Sequence, residues 1–98
     1  GTYEGEMSWN EGSTAVTTTI ILEGNSISGT STYADGLQSP FTLIKAFPET
    51  REIIIKWEEG GNVGQALFRF SPDYSSFEGT WGDDSDYEGG GAWDGVAQ

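Results

Sequence analysis

A period of two along the apolar residues is the feature that most constrains this chain. Tyr3, Gly5, Met7 and Trp9 alternate with Thr2, Glu4, Glu6 and Ser8, the pattern of a strand with one face buried and one in water. The same alternation gives further inward sets: Val16, Ile20 and Leu22; Ile27, Gly29 and Tyr33; Phe41 and Leu43; Ile53, Ile55 and Trp57; Ala66, Phe68 and Phe70; Phe77, Gly79 and Trp81; and Trp93. Turn signals recur about every ten to thirteen residues, at Asn10-Glu-Gly12, Glu23-Gly-Asn25, Asp35-Gly36, Pro48-Glu49, Gly60-Gly-Asn62, Ser71-Pro-Asp73 and the acidic run after Gly82. No segment carries a 3.6-residue apolar period long enough for a helix. The expectation is one all-β domain over residues 1–98, an antiparallel meander of about eight strands.

Glycine placement separates a barrel from a sandwich. Gly inside a strand marks a bend, a bulge or close packing beneath an aromatic ring. Tyr3-Glu-Gly5, Ile27-Ser-Gly29, Phe77-Glu-Gly79 and Trp93-Asp-Gly95 each place an apolar residue two positions before a Gly on the same face. A sharply coiled meander needs such kinks and a flat sandwich needs fewer, so the expected form is a small closed or nearly closed β-barrel. Roughly eighteen large inward side chains would almost fill it and leave only a small internal cavity.

Composition excludes several functions. The chain has no Cys and no His, which removes disulfides, thiol nucleophiles, the Ser–His hydrolase pattern and the usual transition-metal ligands. Its formal net charge of −12 repels nucleic acid and anionic lipid surfaces, so neither is an expected partner. The longest apolar runs, Ile20-Ile-Leu22 and Ile53-Ile-Ile55, are far too short to span a bilayer as a helix, and the expectation is a soluble protein. No basic-then-apolar leader opens the chain at Gly1, and the compartment stays open.

The order Gly-Thr-Tyr-Glu-Gly5, Asn25-Ser-Ile-Ser-Gly-Thr30, Phe41-Thr-Leu-Ile44, Ile53-Ile-Ile-Lys-Trp57 and Ser76-Phe-Glu-Gly-Thr-Trp81 resembles the small up-and-down barrels of the calycin-like kind, which include the lipocalin, avidin and fatty-acid-binding folds. The resemblance spans nearly the whole chain and implies a small apolar or amphipathic ligand in the barrel mouth. Tyr3-Glu-Gly-Glu-Met-Ser-Trp9 and Phe77-Glu-Gly-Thr-Trp81 also resemble the core of MORN repeats, hairpins that stack into open sheets.

Three groups of residues are candidates for chemistry. Trp81, Tyr87, Trp93 and Asp94, around the Gly89–Gly91 triplet, have the composition of a sugar-binding surface, in which rings stack on sugar C–H faces and acids accept hydroxyl hydrogen bonds. The alternative is that Trp81 and Trp93 belong to the core and only Tyr87 is free. Asp84, Asp86 and Glu88 are hard oxygen ligands at alternate positions of a Gly-rich loop, chemistry that suits Ca²⁺; the alternative is a solvated turn. Ile44, Ile54 and Leu67 fall opposite the inward sets on consecutive strands, which makes them either scattered exposed residues or an apolar patch for a homodimer or a protein partner. Neither Lys45 nor Lys56 sits in a recognisable spacing from a Ser nucleophile, and no acid pair stands out among sixteen. The expectation is a non-enzymatic module that holds a small molecule or glycan at the barrel mouth, with an interaction domain using the outer Ile face as the competing reading.

Overall fold

A computed structural model describes residues 1–98 as a closed barrel in which each strand pairs antiparallel with the next and the last returns to the first. The strands are β1 (Thr2–Trp9), β2 (Gly12–Glu23), β3 (Ser26–Tyr33), β4 (Gln38–Phe47), β5 (Glu52–Glu59), β6 (Asn62–Phe70), β7 (Ser76–Asp83) and β8 (Gly91–Ala97). Every connection falls on a turn signal, because Gly, Pro, Asn and Asp supply the backbone geometries a tight reversal needs. Closure is carried by β1 and β8, paired at Tyr3↔Ala97, Glu4↔Val96 and Met7↔Trp93. A closed seam removes the exposed edges that an open stack of hairpins would present.

Two devices curve the sheet. The first is a bulge in β4, where the register against β5 shifts between Leu43 and Lys45. The second is Gly set across from an aromatic ring on the neighbouring strand. Gly29 faces Phe41, Gly64 faces Trp57, Gly91 faces Trp81 and Gly95 faces Phe77. The sequence pattern matches Gly29 and Gly95 with a residue two positions earlier on their own strands; the ring that lies over each comes from the strand alongside. At Gly64 an added Cβ would overlap both the Gly82 carbonyl oxygen and the Trp57 indole, so only Gly allows the two strands and the ring to meet.

The inward faces follow the alternation, and the middle of the barrel is solid. Trp93 is completely buried, with its ring centroid 4.7 Å from Phe68 at 76° and 6.2 Å from Phe41 at 90°, both edge-to-face. Phe68 in turn lies 4.4 Å from Phe77, and Val16, Ile55 and Ala66 complete the waist. Three polar residues, Thr18, Ser31 and Ser39, are also fully buried there. Each has its partner: Thr18 Oγ1 accepts from the Trp93 indole N–H at 3.0 Å, while Ser31 donates to the Ser39 carbonyl and Ser39 to the Glu58 carbonyl. No buried side-chain polar atom lacks a partner, which is what a unique core requires.

Trp9 and Leu22, both on inward faces, remain exposed because they stand at strand ends where the barrel opens. The expected small lumen therefore takes the form of a filled waist with an open bowl at each end.

Candidate functional site

An up-and-down meander sends every odd strand out through the same end. The inward residues near the C-terminal ends of β1, β3, β5 and β7 consequently share one mouth, and in this chain they are Trp9, Tyr33, Trp57 and Trp81. Together with Met7, Thr14, Leu37, Asp35 and Glu59 they line a cavity of about 310 Å³, within the lower range of small-molecule sites.

The floor of the bowl is fixed. Trp57 and Trp81 meet edge to face, 6.2 Å apart at 73°. The Trp81 indole N–H donates to the Ser8 carbonyl at 2.9 Å and that of Trp57 to the Gln65 carbonyl at 3.2 Å. With their polar edges bonded to backbone, both rings hold one orientation and leave apolar surface to the cavity. Trp81 also rests on the Gly90 backbone, where a Cβ would collide with its six-membered ring. The glycine triplet thus has a structural task as the seat of a bowl residue. Trp9, 42% exposed, forms the rim.

Two carboxylates complete the lining. Asp35 Oδ1 accepts the Leu37 amide at 2.9 Å, which shapes the β3–β4 turn and leaves the other oxygen free. Glu59 stands at the end of β5 near the Tyr33 phenol. Burial pushes the Tyr33 phenol above its ordinary range, hydrogen bonding to Ser31 opposes that shift, and the Glu59 carboxylate reinforces it. Tyr33 therefore stays neutral and able to donate at physiological pH.

The residues singled out from sequence are dispersed. Trp81 lies in the bowl, but Trp93 is the centre of the waist and cannot touch a ligand at either mouth. Asp94, one position on, points outward by the strand period, and its Oδ1 accepts the Glu6 amide at 3.0 Å, clasping β8 to β1. Tyr87 sits in the β7–β8 connection, where its carbonyl accepts the Thr80 hydroxyl at 2.7 Å.

The three acids proposed as cation ligands do not converge. Asp86 spends Oδ1 on the Glu88 amide (3.1 Å) and Oδ2 on the Gly89 amide (3.0 Å). The Asp84 amide bonds the Val63 carbonyl, and Glu88 borders an outer groove with Asp94 and Leu67. No three acidic side chains in the structure are grouped to share an ion.

On the outer wall Ile54 and Leu67 are direct cross-strand partners. The β4 bulge puts Lys45, and not Ile44, opposite Ile54, so the expected three-residue row is interrupted by a cation, with Ile44 beside it and 49% exposed.

Sequence reasoning missed Trp9, Tyr33, Trp57, Asp35 and Glu59 as parts of one site. The signal was present: an aromatic residue within two positions of the end of every odd strand. It becomes visible only once the closed meander is assumed and strand ends are read together.

The opposite mouth is a second cavity of about 320 Å³ lined mainly by Tyr3, Ile20, Leu22, Ile27, Phe47 and Phe70. Tyr74 folds against it, its carbonyl accepting the Tyr3 hydroxyl at 2.9 Å and its ring lying 5.6 Å from Phe70.

Compared with protein families, with curated proteins and with solved structures, the chain matches none.

Proposed function

We propose that this barrel is a non-enzymatic binding module that holds a small molecule or glycan in the aromatic bowl at the mouth shared by β1, β3, β5 and β7. The observation that carries this reading is the convergence of Trp9, Tyr33, Trp57 and Trp81 on one open cavity. Ring faces held in fixed orientations around an open cavity suit a sugar face or a planar or apolar ligand, with little ordering cost on binding. The calycin-like arrangement of a closed meander with a ligand at its mouth agrees with this use. The test is tryptophan fluorescence during titration with mono- and disaccharides and with small aromatic and aliphatic compounds, neutral and charged. A saturable change that is lost in Trp9→Ala and kept in Tyr87→Ala supports the reading. A flat response across all classes would sink it.

A second reading is supported by the adjacency of Ile54 and Leu67 with exposed Ile44 nearby: this wall would pair with a protein partner or a second copy. Sedimentation of the protein and of Ile44→Lys over a concentration series tests it, a concentration-dependent dimer abolished by the substitution being the expected result.

A further inference from the structure

The polar groups that line the aromatic bowl are unbalanced. Besides the hydroxyls of Thr14 and Tyr33 and the indole N–H of Trp9 they are the carboxylates of Asp35 and Glu59, and no Lys, Arg, Asn or Gln reaches the cavity. Neither carboxylate is paired with a cation of the protein, since the one salt bridge joins Arg69 to Glu52 on the outer wall. A bowl built for a neutral sugar would need donors as well as acceptors, because each sugar hydroxyl is both. This one offers ring faces and carboxylate oxygens, with the Tyr33 hydroxyl and the Trp9 indole N–H as its free side-chain donors.

The wider surroundings have the same sign. The connections and strand ends at this mouth carry Glu11, Asp35, the Glu58–Glu59 pair and all the acids between Asp83 and Glu88, and the turns there contain no Lys or Arg. Arg51 belongs to the opposite mouth, Lys45 and Arg69 lie toward that end on β4 and β6, and the fourth cation, Lys56, is exposed on the outer face of β5 and does not line the bowl. A concave site of one charge with low-dielectric walls focuses its field on the opening and concentrates counter-ions there.

We infer that the ligand of the bowl is an organic ammonium ion with an apolar body, held by cation–π contact with Trp9, Tyr33, Trp57 and Trp81 and by the carboxylates of Asp35 and Glu59. The inference rests on the proposal that the bowl is a small-molecule site, and adds its chemical class. Indole is the best of the aromatic faces for a cation, and quaternary ammonium groups are recognised by cages of such rings. The indole N–H groups of Trp57 and Trp81 are already bonded to backbone carbonyls, so those two rings offer the ligand apolar and π surface in place of donors. The cavity of about 310 Å³ accommodates a compact ammonium with one ring or a short chain.

Calorimetric titration of the intact protein with choline and with dimethylbutanol, its uncharged carbon isostere, tests the charge at constant shape; indole and a glucose disaccharide serve as further uncharged probes. Choline should bind at least about tenfold tighter than its isostere, with an affinity that falls as salt rises. The Asp35→Asn/Glu59→Gln double variant should remove that advantage while leaving the uncharged probes unaffected; Asn retains the acceptor that holds the Leu37 amide. Glu23→Gln/Glu49→Gln, two exposed acids at the opposite mouth, should leave choline binding within about twofold of the parent. If uncharged probes bind as well as choline, or if the bowl variant leaves choline binding unchanged, the ammonium assignment is overturned while the small-molecule site stands. If no probe of either kind binds, both fail.

Discussion

Single residues set the tolerance of this barrel to change. Thr18 Oγ1 is the only partner of the buried Trp93 indole N–H, so Thr18→Val keeps the volume and strands a donor in the core. Chemical denaturation should show a loss of about 1–3 kcal/mol, whereas a variant matching the parent would mean that the indole finds another acceptor. Asp73 governs the β6–β7 turn by accepting the Ser75 hydroxyl at 2.7 Å, the Ser75 amide at 3.1 Å and the Ser71 hydroxyl at 2.9 Å. These bonds, the Ser75 hydroxyl foremost, hold its carboxyl down from 3.8 to about 2. A carboxyl that is more acidic in the folded state contributes stability that is fully present above its unfolded pKa and is lost as pH falls through the folded one. The stability advantage of the parent over Asp73→Asn should therefore hold at neutral pH and shrink between about pH 4 and pH 2. Melts of both proteins over that range check it, and a constant difference would contradict the assignment.

At the scale of strands and connections, glycine placement decides which rings lie where. Gly64→Ala forces Trp57 off its seat and presses on the Gly82 carbonyl. The expected cost is about 1–3 kcal/mol, accompanied by a changed emission spectrum because Trp57 is a wall of the bowl. The β7–β8 connection is shaped by the Asp86 carboxylate and the amides of Glu88 and Gly89, and calcium is no part of that account. Thermal midpoints in chelator and in millimolar calcium should coincide, while Asp86→Ala should lower the midpoint in both. A calcium-induced rise would reinstate the loop as a cation site.

The strands themselves were legible in the sequence because period-two alternation and Gly, Pro and Asn turns are local signals. The inward sets were legible too, except for Thr18, Ser31 and Ser39: a polar inward residue is invisible until its partner, here Trp93 for Thr18, is located on another strand. The bulge at Ile44 was also hidden, since one extra residue in β4 becomes apparent only against the register of β5.

For the molecule as a whole, topology does more than composition to place the candidate site. Trp9, Tyr33, Trp57 and Trp81 lie as far as 72 positions apart in sequence (81 − 9 = 72) and are gathered because each stands near the end of an odd strand in one closed meander. The sequence instead drew attention to the dense run from Trp81 to Asp94, where local richness in acids and rings suggested a site. Of that run Trp81 alone lines the bowl; the strand period turns Trp93 into the waist and Asp94 to the outer seam. The same topology separates the charges, with the acid-rich turns around the bowl and Arg51 at the opposite mouth.

The four tryptophans supply their own control for the central claim, three in the bowl and Trp93 in the sealed waist. The most direct measurement is a ¹⁵N–¹H correlation spectrum of the indole N–H groups, assigned by single Trp→Phe substitutions and followed during titration with choline, dimethylbutanol and a glucose disaccharide. The structure predicts that a binding probe moves the signals of Trp9, Trp57 and Trp81 in a saturable way and leaves Trp93 in place. Saturable movement confined to the Trp93 signal, or no movement of any of the four with every probe, would contradict the bowl as a binding site.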